Sequence, residues 1–258
     1  MDRNVSLTII TVSAFDCVRL NRTLSSLLSV GPNLELVVVT PRHDFETIRT
    51  VKNFETEKNL RLQLIHDEGV GIYEAMNCGL EVAKGRFVTF WNSGDLAIAG
   101  TSVGGLLDYL EATTTDWGVF QAKFVWRDAL DLTSSNLSRF VLQKGGYVSH
   151  QAIYARTDTL RNLGGFDCKY RVAADTKMIT QLWLEHDYGF YNHEVVEVEA
   201  PGFSGKMHRL GRLENFRIAW ECLPSSSRFL AIGSALRREV GYLAIKIRNV
   251  VRWKEFTQ

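Results

Sequence analysis

The chain has 258 residues, of which 45% are apolar and 23% charged, with only four prolines. That balance is ordinary for a globular protein and excludes a disordered, collagen-like or disulfide-stapled chain. Thirty Lys and Arg against twenty-nine Asp and Glu leave a formal charge of +1, so the molecule is no polycation built for nucleic acid.

Val5 to Val12 is a β-branched run with the character of a buried strand, and Arg19 to Leu28 then carries apolar residues at helical spacing. Gly31-Pro32-Asn33 is a turn signal opening a second buried strand over Leu34 to Val39. A short helix over Phe45 to Phe54, a third strand over Leu60 to Ile65, a helix over Ile72 to Ala83 and a fourth strand over Arg86 to Trp91 follow. Gly85 lies where a left-handed residue suits the end of the third helix. Strand and helix alternating in this way predict an α/β, Rossmann-like, mostly parallel sheet with helices on both faces. Ligands of such sheets bind beyond the carboxyl ends of the strands. The loops after Val12, Val39, Ile65 and Trp91 are therefore expected to converge on one site.

Beyond Gly100 the pattern loosens. It predicts a helix over Ser102 to Glu111, a strand over Gly118 to Trp126, an irregular stretch over 128–148 and a strand over Gln151 to Ala155. A short helix over Thr157 to Leu163 ends at Gly164-Gly165, and a helix over Ala174 to His186 precedes a strand over Glu194 to Glu199. No repeat or low-complexity linker interrupts this run. The expectation is one domain over 1–205 and a basic helical extension over 206–258.

From Lys206 onward, eleven Lys and Arg stand against four Asp and Glu, a local charge of +7 that leaves −6 on the preceding residues. Apolar residues at 229, 232, 236, 240, 243, 247 and 250 trace one helical face, with arginines and lysines beside it. Such a helix suits an anionic membrane interface over 226–253. The alternative is that the same face packs on the domain, or on a second copy of the chain in a homodimer. Cys17, Cys78, Cys168 and Cys222 form no C-x-x-C pair, as in a reducing compartment. Met1-Asp2-Arg3-Asn4 runs straight into a strand with no room for a secretory signal, and no apolar run reaches the roughly 18 residues of a membrane span. The expected address is the cytoplasm, peripheral at the inner face of the membrane if the tail binds lipid.

Asp95, behind Asn92-Ser93-Gly94 at the end of a buried strand, is a hard oxygen ligand suited to Mg²⁺ or Mn²⁺ on phosphate oxygens. Alone, the same four residues also read as a self-satisfied turn. The segment Gly71-Ile72-Tyr73-Glu74-Ala75-Met76-Asn77-Cys78-Gly79 followed by Phe90-Trp91-Asn92-Ser93-Gly94-Asp95 weights the first reading. It resembles family 2 glycosyltransferases, most closely the colanic-acid-type exopolysaccharide branch with G-I-Y-D-A-M-N-K-G and F-x-N-S-G-D. His150-Gln151, Gly165-Phe166-Asp167, Tyr170 to Asp175 and Gly202-Phe203-Ser204 resemble further elements of that branch, in order.

The resemblance implies a GT-A fold, a nucleotide-diphosphate-sugar donor, a divalent cation and an inverting transfer to a glycan or lipid-linked acceptor. By motif position, Asp95 matches the cation-binding carboxylate and Asp175 the general base. Without the upstream motif, Asp175 reads as a carboxylate stabilised by a helix N-terminus. Asn92, Ser93, Gly94, His150 and Gln151 match the donor site. Thr11, Val12 and Ser13 end the first strand, where the family holds base and ribose, and Tyr73 and Asn77 line or buttress the pocket. His208 reads as a further cation ligand or as an exposed loop histidine. Lys206 and Arg209 read as diphosphate contacts or as part of the basic tail.

Two positions depart from the family pattern. The acid that usually ends the second strand is missing from Val37-Val38-Val39-Thr40-Pro41, and Gly69 replaces an acid ahead of the Gly-Ile-Tyr motif, with Asp67 and Glu68 nearby. UDP is the expected nucleotide and GDP the alternative. The missing acid also leaves room for a non-catalytic, nucleotide-sugar-binding or scaffold subunit. An NAD-type fingerprint is poorly matched, because Gly69-Val70-Gly71-Ile72-Tyr73-Glu74 has Glu at its third glycine position.

Overall fold

The computed structural model describes residues 5–31, 33–55, 61–98, 102–126, 133–135, 148–200 and 208–223. The first half alternates β1 (Leu7–Val12), α1 (Cys17–Leu27), β2 (Leu34–Pro41), α2 (Phe45–Phe54), β3 (Arg61–Asp67), α3 (Ile72–Val82) and β4 (Phe87–Asn92). Every residue of β1 and β2 is buried, which is why their sequences run apolar without alternating. Asp16 and Asp44 cap α1 and α2, accepting from the N–H of Arg19 at 3.4 Å and of Thr47 at 3.1 Å. After these come β5 (Leu96–Ala97), α4 (Ser102–Ala112), β6 (Trp117–Trp126), β7 (Thr133–Ser135), a 3₁₀ turn (His150–Ala152) and β8 (Ile153–Arg156). The chain continues through α5 (Thr157–Asn162), α6 (Ala174–Glu185), β9 (Tyr188–Ala200) and α7 (His208–Cys222).

One mixed sheet has the order β3-β2-β1-β4-β8-β6-β9-β5, with β7 on β6. The β3-β2-β1-β4 half is parallel, as expected, and β8 turns antiparallel against β4. Phe87, Phe90, Trp91, Trp117, Phe120 and Tyr154 are fully buried around that junction and make it the heaviest part of the core. Among the described residues, no helix is long and apolar enough to cross a membrane.

The structure corrects several local expectations. Gly85 does not adopt a left-handed conformation, since it is absent from the positive-φ residues. A Cβ there would sit 2.6 Å from the backbone N of Thr8, so close approach of the chain to β1 is what requires glycine. The last long strand begins at Tyr188 rather than Glu194, because its pairing with β6 shifts register between Phe120 and Ala122 and breaks the alternation in between. Gln151 belongs to the 3₁₀ turn rather than a strand, and the stretch read as irregular contains the strand Thr133–Ser135. Helix α7, within the stretch expected to form a helical extension, buries Ile218 and directs Leu213, Phe216 and Trp220 to solvent. The apolar face traced over 229–250 lies outside the described residues.

Gly85→Ala is expected to lower stability by about 1–3 kcal/mol, the usual cost of overpacking. Urea denaturation of the two chains measures it, and an unchanged midpoint would contradict the close approach.

Candidate active site

Parallel pairing aligns Val12 with Val39 and with Asn92, and Pro41 with Asp67, so β1 to β4 end along one edge. A cleft of about 560 Å³ opens there, lined by Val12, Ser13, Tyr73, Asn92, Ser93, Asp95, His150, Gln151 and Asp175 among others. Asp95 and Asp175, eighty positions apart in the chain, are 3% and 4% exposed and face the same cavity.

Asp95 closes a tight loop. Its Oδ2 accepts from the Asn92 N–H at 2.7 Å, and its own N–H donates to the Asn92 carbonyl at 3.0 Å. Gly94 makes the loop possible with φ +99°, a region costly for any residue with a Cβ. Burial pushes the Asp95 carboxyl up to about 7, against the opposing hydrogen bond from Asn92 and the nearby His150 and Gln151.

Asp175 is the second residue of α6. Thr176 N–H donates to its Oδ1 at 2.7 Å, and the Tyr73 hydroxyl lies 3.2 Å from the same oxygen. His150 Nδ1 stands 3.2 Å from Asp175 Oδ2, while its Nε2 stands 3.4 Å from Asn92 Nδ2. This chain fits an imidazole that donates from Nδ1 and accepts at Nε2. It joins Asp175 to the loop that Asp95 closes.

Asn92 Oδ1, Ser13 Oγ and Asp67 Oδ1 are buried without a hydrogen-bond partner among the described residues, and all three residues line the cleft. Buried polar atoms left unsatisfied cost about 1–3 kcal/mol each unless something fills the site. The three residues stand at the carboxyl ends of β1, β3 and β4.

The other expected residues divide. Thr11 is buried within β1 beneath the cleft. Gly94 lines a second hollow of about 320 Å³ behind the loop, with Arg22 and Glu199. Asn77 is absent from the cleft lining and acts as a buttress. Its amide donates to the Phe166 carbonyl and its Oδ1 accepts from the Phe166 N–H, both at 2.8 Å. Arg209 is exposed on α7, away from the cleft lining. Lys206 and the His208 side chain lie outside the described residues.

The pattern also passed over residues that the fold brings in. Phe15 lines the cleft with 67% of its surface exposed and φ +56°, the only non-glycine with positive φ among the described residues. Its N–H donates to the Asp44 carboxylate and its ring tilts against His43 at 5.3 Å. Burial alone would raise the Asp44 carboxyl, but hydrogen bonds from Thr47, Phe15 and Thr40 outweigh it and hold the group below its usual range. Strain held in place this way is typical of ligand-clamping loops. An aromatic residue just past the first strand was the available signal. Arg19 and Glu199 also line the cleft, 3.8 Å apart, from positions that read as ordinary helix and strand.

A parallel Rossmann-like half continued by antiparallel strands, with acids from both halves on one cleft, defines a GT-A-like α/β fold. Residues 8–152, more than half of the chain, match the model for Glycosyl transferase family 2, and the chain belongs to that family. PGL/p-HBAD biosynthesis glycosyltransferases of Mycobacterium bovis and Mycobacterium tuberculosis are 26% identical over 149 residues, covering 55% of this chain and 56% of theirs. The chain thus spans about half the length of these curated relatives. Among solved structures, Staphylococcus aureus TarS 1–349 in complex with UDP is similar at a TM-score of 0.69 and 16% identity, covering 92% of this chain and 72% of that one. The mannosyltransferase PcManGT from Pyrobaculum calidifontis in complex with GDP-Man and Mn²⁺ is similar at 0.66 and 18%, covering 91% and 70%.

Asp95 carries a pH signature. Its carboxyl titrates near 3.8 unfolded and about 7 folded, so its stabilising contribution is complete below 3.8 and lost as pH rises through about 7. In chelator, Asp95→Asn is expected to flatten the fall in Tm between about pH 5 and pH 8. Scanning calorimetry checks it, and an equal fall in both chains would sink the assignment.

Proposed function

We propose that the chain is an inverting glycosyltransferase that moves a sugar from a nucleotide-diphosphate donor to a hydroxyl of a lipid-linked or surface-glycan acceptor. The observation that carries this reading is the pair of buried acids on one cleft, Asp95 and Asp175, joined through Asn92 and His150. The motif resemblance to the colanic-acid-type branch supports an exopolysaccharide acceptor.

The donor's base and ribose belong beside Ser13, Phe15 and Asp67 in this reading, where the exposed Phe15 ring offers a planar group a face to stack on. UDP is the favoured nucleotide and GDP the alternative. The sugar lies over Asn92, Ser93, His150 and Gln151. Asp175 accepts the acceptor's hydroxyl proton as that oxygen bonds to the anomeric carbon. The bond from that carbon to the diphosphate breaks in the same displacement, its electron pair leaving with the diphosphate, and configuration inverts.

The donor set fits Mg²⁺ or Mn²⁺. Asp95 is a single hard carboxylate beside the unpartnered Asn92 oxygen, and no cluster of three or more ligating side chains is present among the described residues. Such a site suits a cation shared with donor phosphates rather than a closed protein cage. When bound, the cation offsets charge on the leaving diphosphate. Lys206 and Arg209 as phosphate contacts, and His208 as a further ligand, enter the proposal on motif position alone.

The chain is further proposed to work at an anionic membrane surface through 226–253. The outer face of α7 supports this, since Leu213, Phe216 and Trp220 are at least half exposed beside Arg209 and Arg212.

Asp175→Asn should lower kcat by roughly 10²–10⁴-fold while leaving donor affinity nearly unchanged, as loss of a general base requires. Asp95→Ala should abolish Mn²⁺-dependent binding of UDP- and GDP-sugars in calorimetry. Normal turnover in both variants would defeat the glycosyltransfer reading. Full-length chain should bind anionic but not neutral liposomes, with binding weakened by salt and lost on deleting 226–253. Equal binding to both vesicle types would rule out the electrostatic anchor.

A further inference from the structure

We propose that Glu214, on the C-terminal helix, is a positioning residue for Asp175, which makes α7 a working part of the site. The inference rests on the role given above to Asp175.

Arg171, Val172 and Ala173 lead directly into α6, whose second residue is Asp175. The N–H of a cap residue has no partner within its helix, and those of Arg171 and Val172 lie just before it; Glu214 takes all three in a row. Its Oε1 accepts from Arg171 N–H at 2.8 Å, and its Oε2 accepts from Val172 and Ala173 N–H, each at 2.9 Å. The side chain is 8% exposed, so water competes little for these charge-assisted bonds.

The same short segment is held from the opposite side. The Tyr73 hydroxyl lies 2.8 Å from the Val172 carbonyl and 3.2 Å from Asp175 Oδ1, and both Val172 and Asp175 line the cleft. Glu214 therefore fixes one side of a backbone stretch whose other side meets the base. Helix α7 is itself anchored around this point. Ile218 is buried, Glu221 accepts from the Tyr170 hydroxyl at 2.6 Å, and Lys177 bridges Asp167 at 2.7 Å and Glu221 at 3.4 Å. These contacts from α7 thus flank and include residues 170 to 177. Loss of Glu214 leaves three N–H groups unpartnered and frees the base while sparing the donor pocket.

The test uses the full chain with Mn²⁺ and reads UDP or GDP release from UDP-GlcNAc or GDP-Man, with water taking the acceptor's place and receiving the sugar, together with amide hydrogen exchange. Glu214→Gln keeps the length but removes the charge and one acceptor oxygen. It should speed exchange at 171–173, leave β1 to β4 protected, and lower kcat on the order of 10²-fold at an unchanged donor KM. Unchanged exchange overturns the proposal. So does faster exchange with unchanged kcat, or a joint loss of kcat and KM, which general loosening would produce. If the variant does not fold, the unaltered chain decides, because the amides of 171–173 must exchange as slowly as the interior of α6. If the unaltered chain releases no nucleotide from either donor, the glycosyltransfer reading fails on that result, and the exchange data still decide whether Glu214 holds the segment.

Discussion

A buried polar lock between β1 and β2 sets the geometry on which the cleft depends. Thr8 and Glu35 are direct register partners, and the Thr8 hydroxyl donates to Glu35 at 2.6 Å with both residues buried. The same carboxylate accepts from Lys84 N–H at 2.7 Å, and the Thr8 oxygen accepts from Gly85 N–H at 2.9 Å, so the approach to β4 is tied to the same point. Apolar contact alone is a poor guide to register where both faces of a strand are buried. A slip by one residue would strand the Glu35 charge in the core, a far larger penalty than any rearranged packing. Because β2 and β4 are both fixed on β1, Ser13 and Asn92 end side by side. Asp67 joins them through the pairing of β3 with β2.

Buried carboxylates in this fold fall into two groups. Glu35, Asp44 and Glu214 each receive two or more donors from the chain itself. They act as fasteners, for register, for the Phe15 loop and for the start of α6. Asp67 keeps an oxygen with no partner among the described residues, and Asp95 is pushed up to about 7 by burial. Asp95 and Asp175 are held by donors as well, Asp95 by the Asn92 N–H and Asp175 by the Thr176 N–H and the Tyr73 hydroxyl, so what sets the acids of the site apart from the fasteners is their place in the cleft lining.

The parallel half was legible because β1, β2 and β4 are largely apolar runs, the helices between them carry apolar residues at helical spacing, and Gly31-Pro32-Asn33 opens β2. The acids of the site were legible only through the motif around Gly71 to Asp95, since an Asp after Ser-Gly is otherwise an ordinary turn. What stayed hidden depends on partners distant in sequence. Gly85 reads as a helix stop until Thr8 is seen against it. Tyr188 to Tyr191 do not read as strand until the register shift opposite Phe120 is known. Glu214, surrounded by arginines in a helix with a weak apolar pattern, resembles any surface glutamate; its three amide partners lie more than forty residues upstream. Phe15 gives no local sign that its backbone is strained.

That strain and the missing acid after β2 are connected. With Pro41 where the strand ends, no β2 carboxylate meets a base, and the neighbouring strand supplies Asp67 in direct register with that proline. Asp44 is diverted to hold Phe15 N–H, which keeps the exposed ring over the same end of the cleft. Recognition of a planar ring needs a face and an edge, and in the proposed donor site Phe15 would offer the face and Asp67 the edge. A carboxylate edge accepts one N–H from uracil but matches the paired N–H groups of guanine with both oxygens.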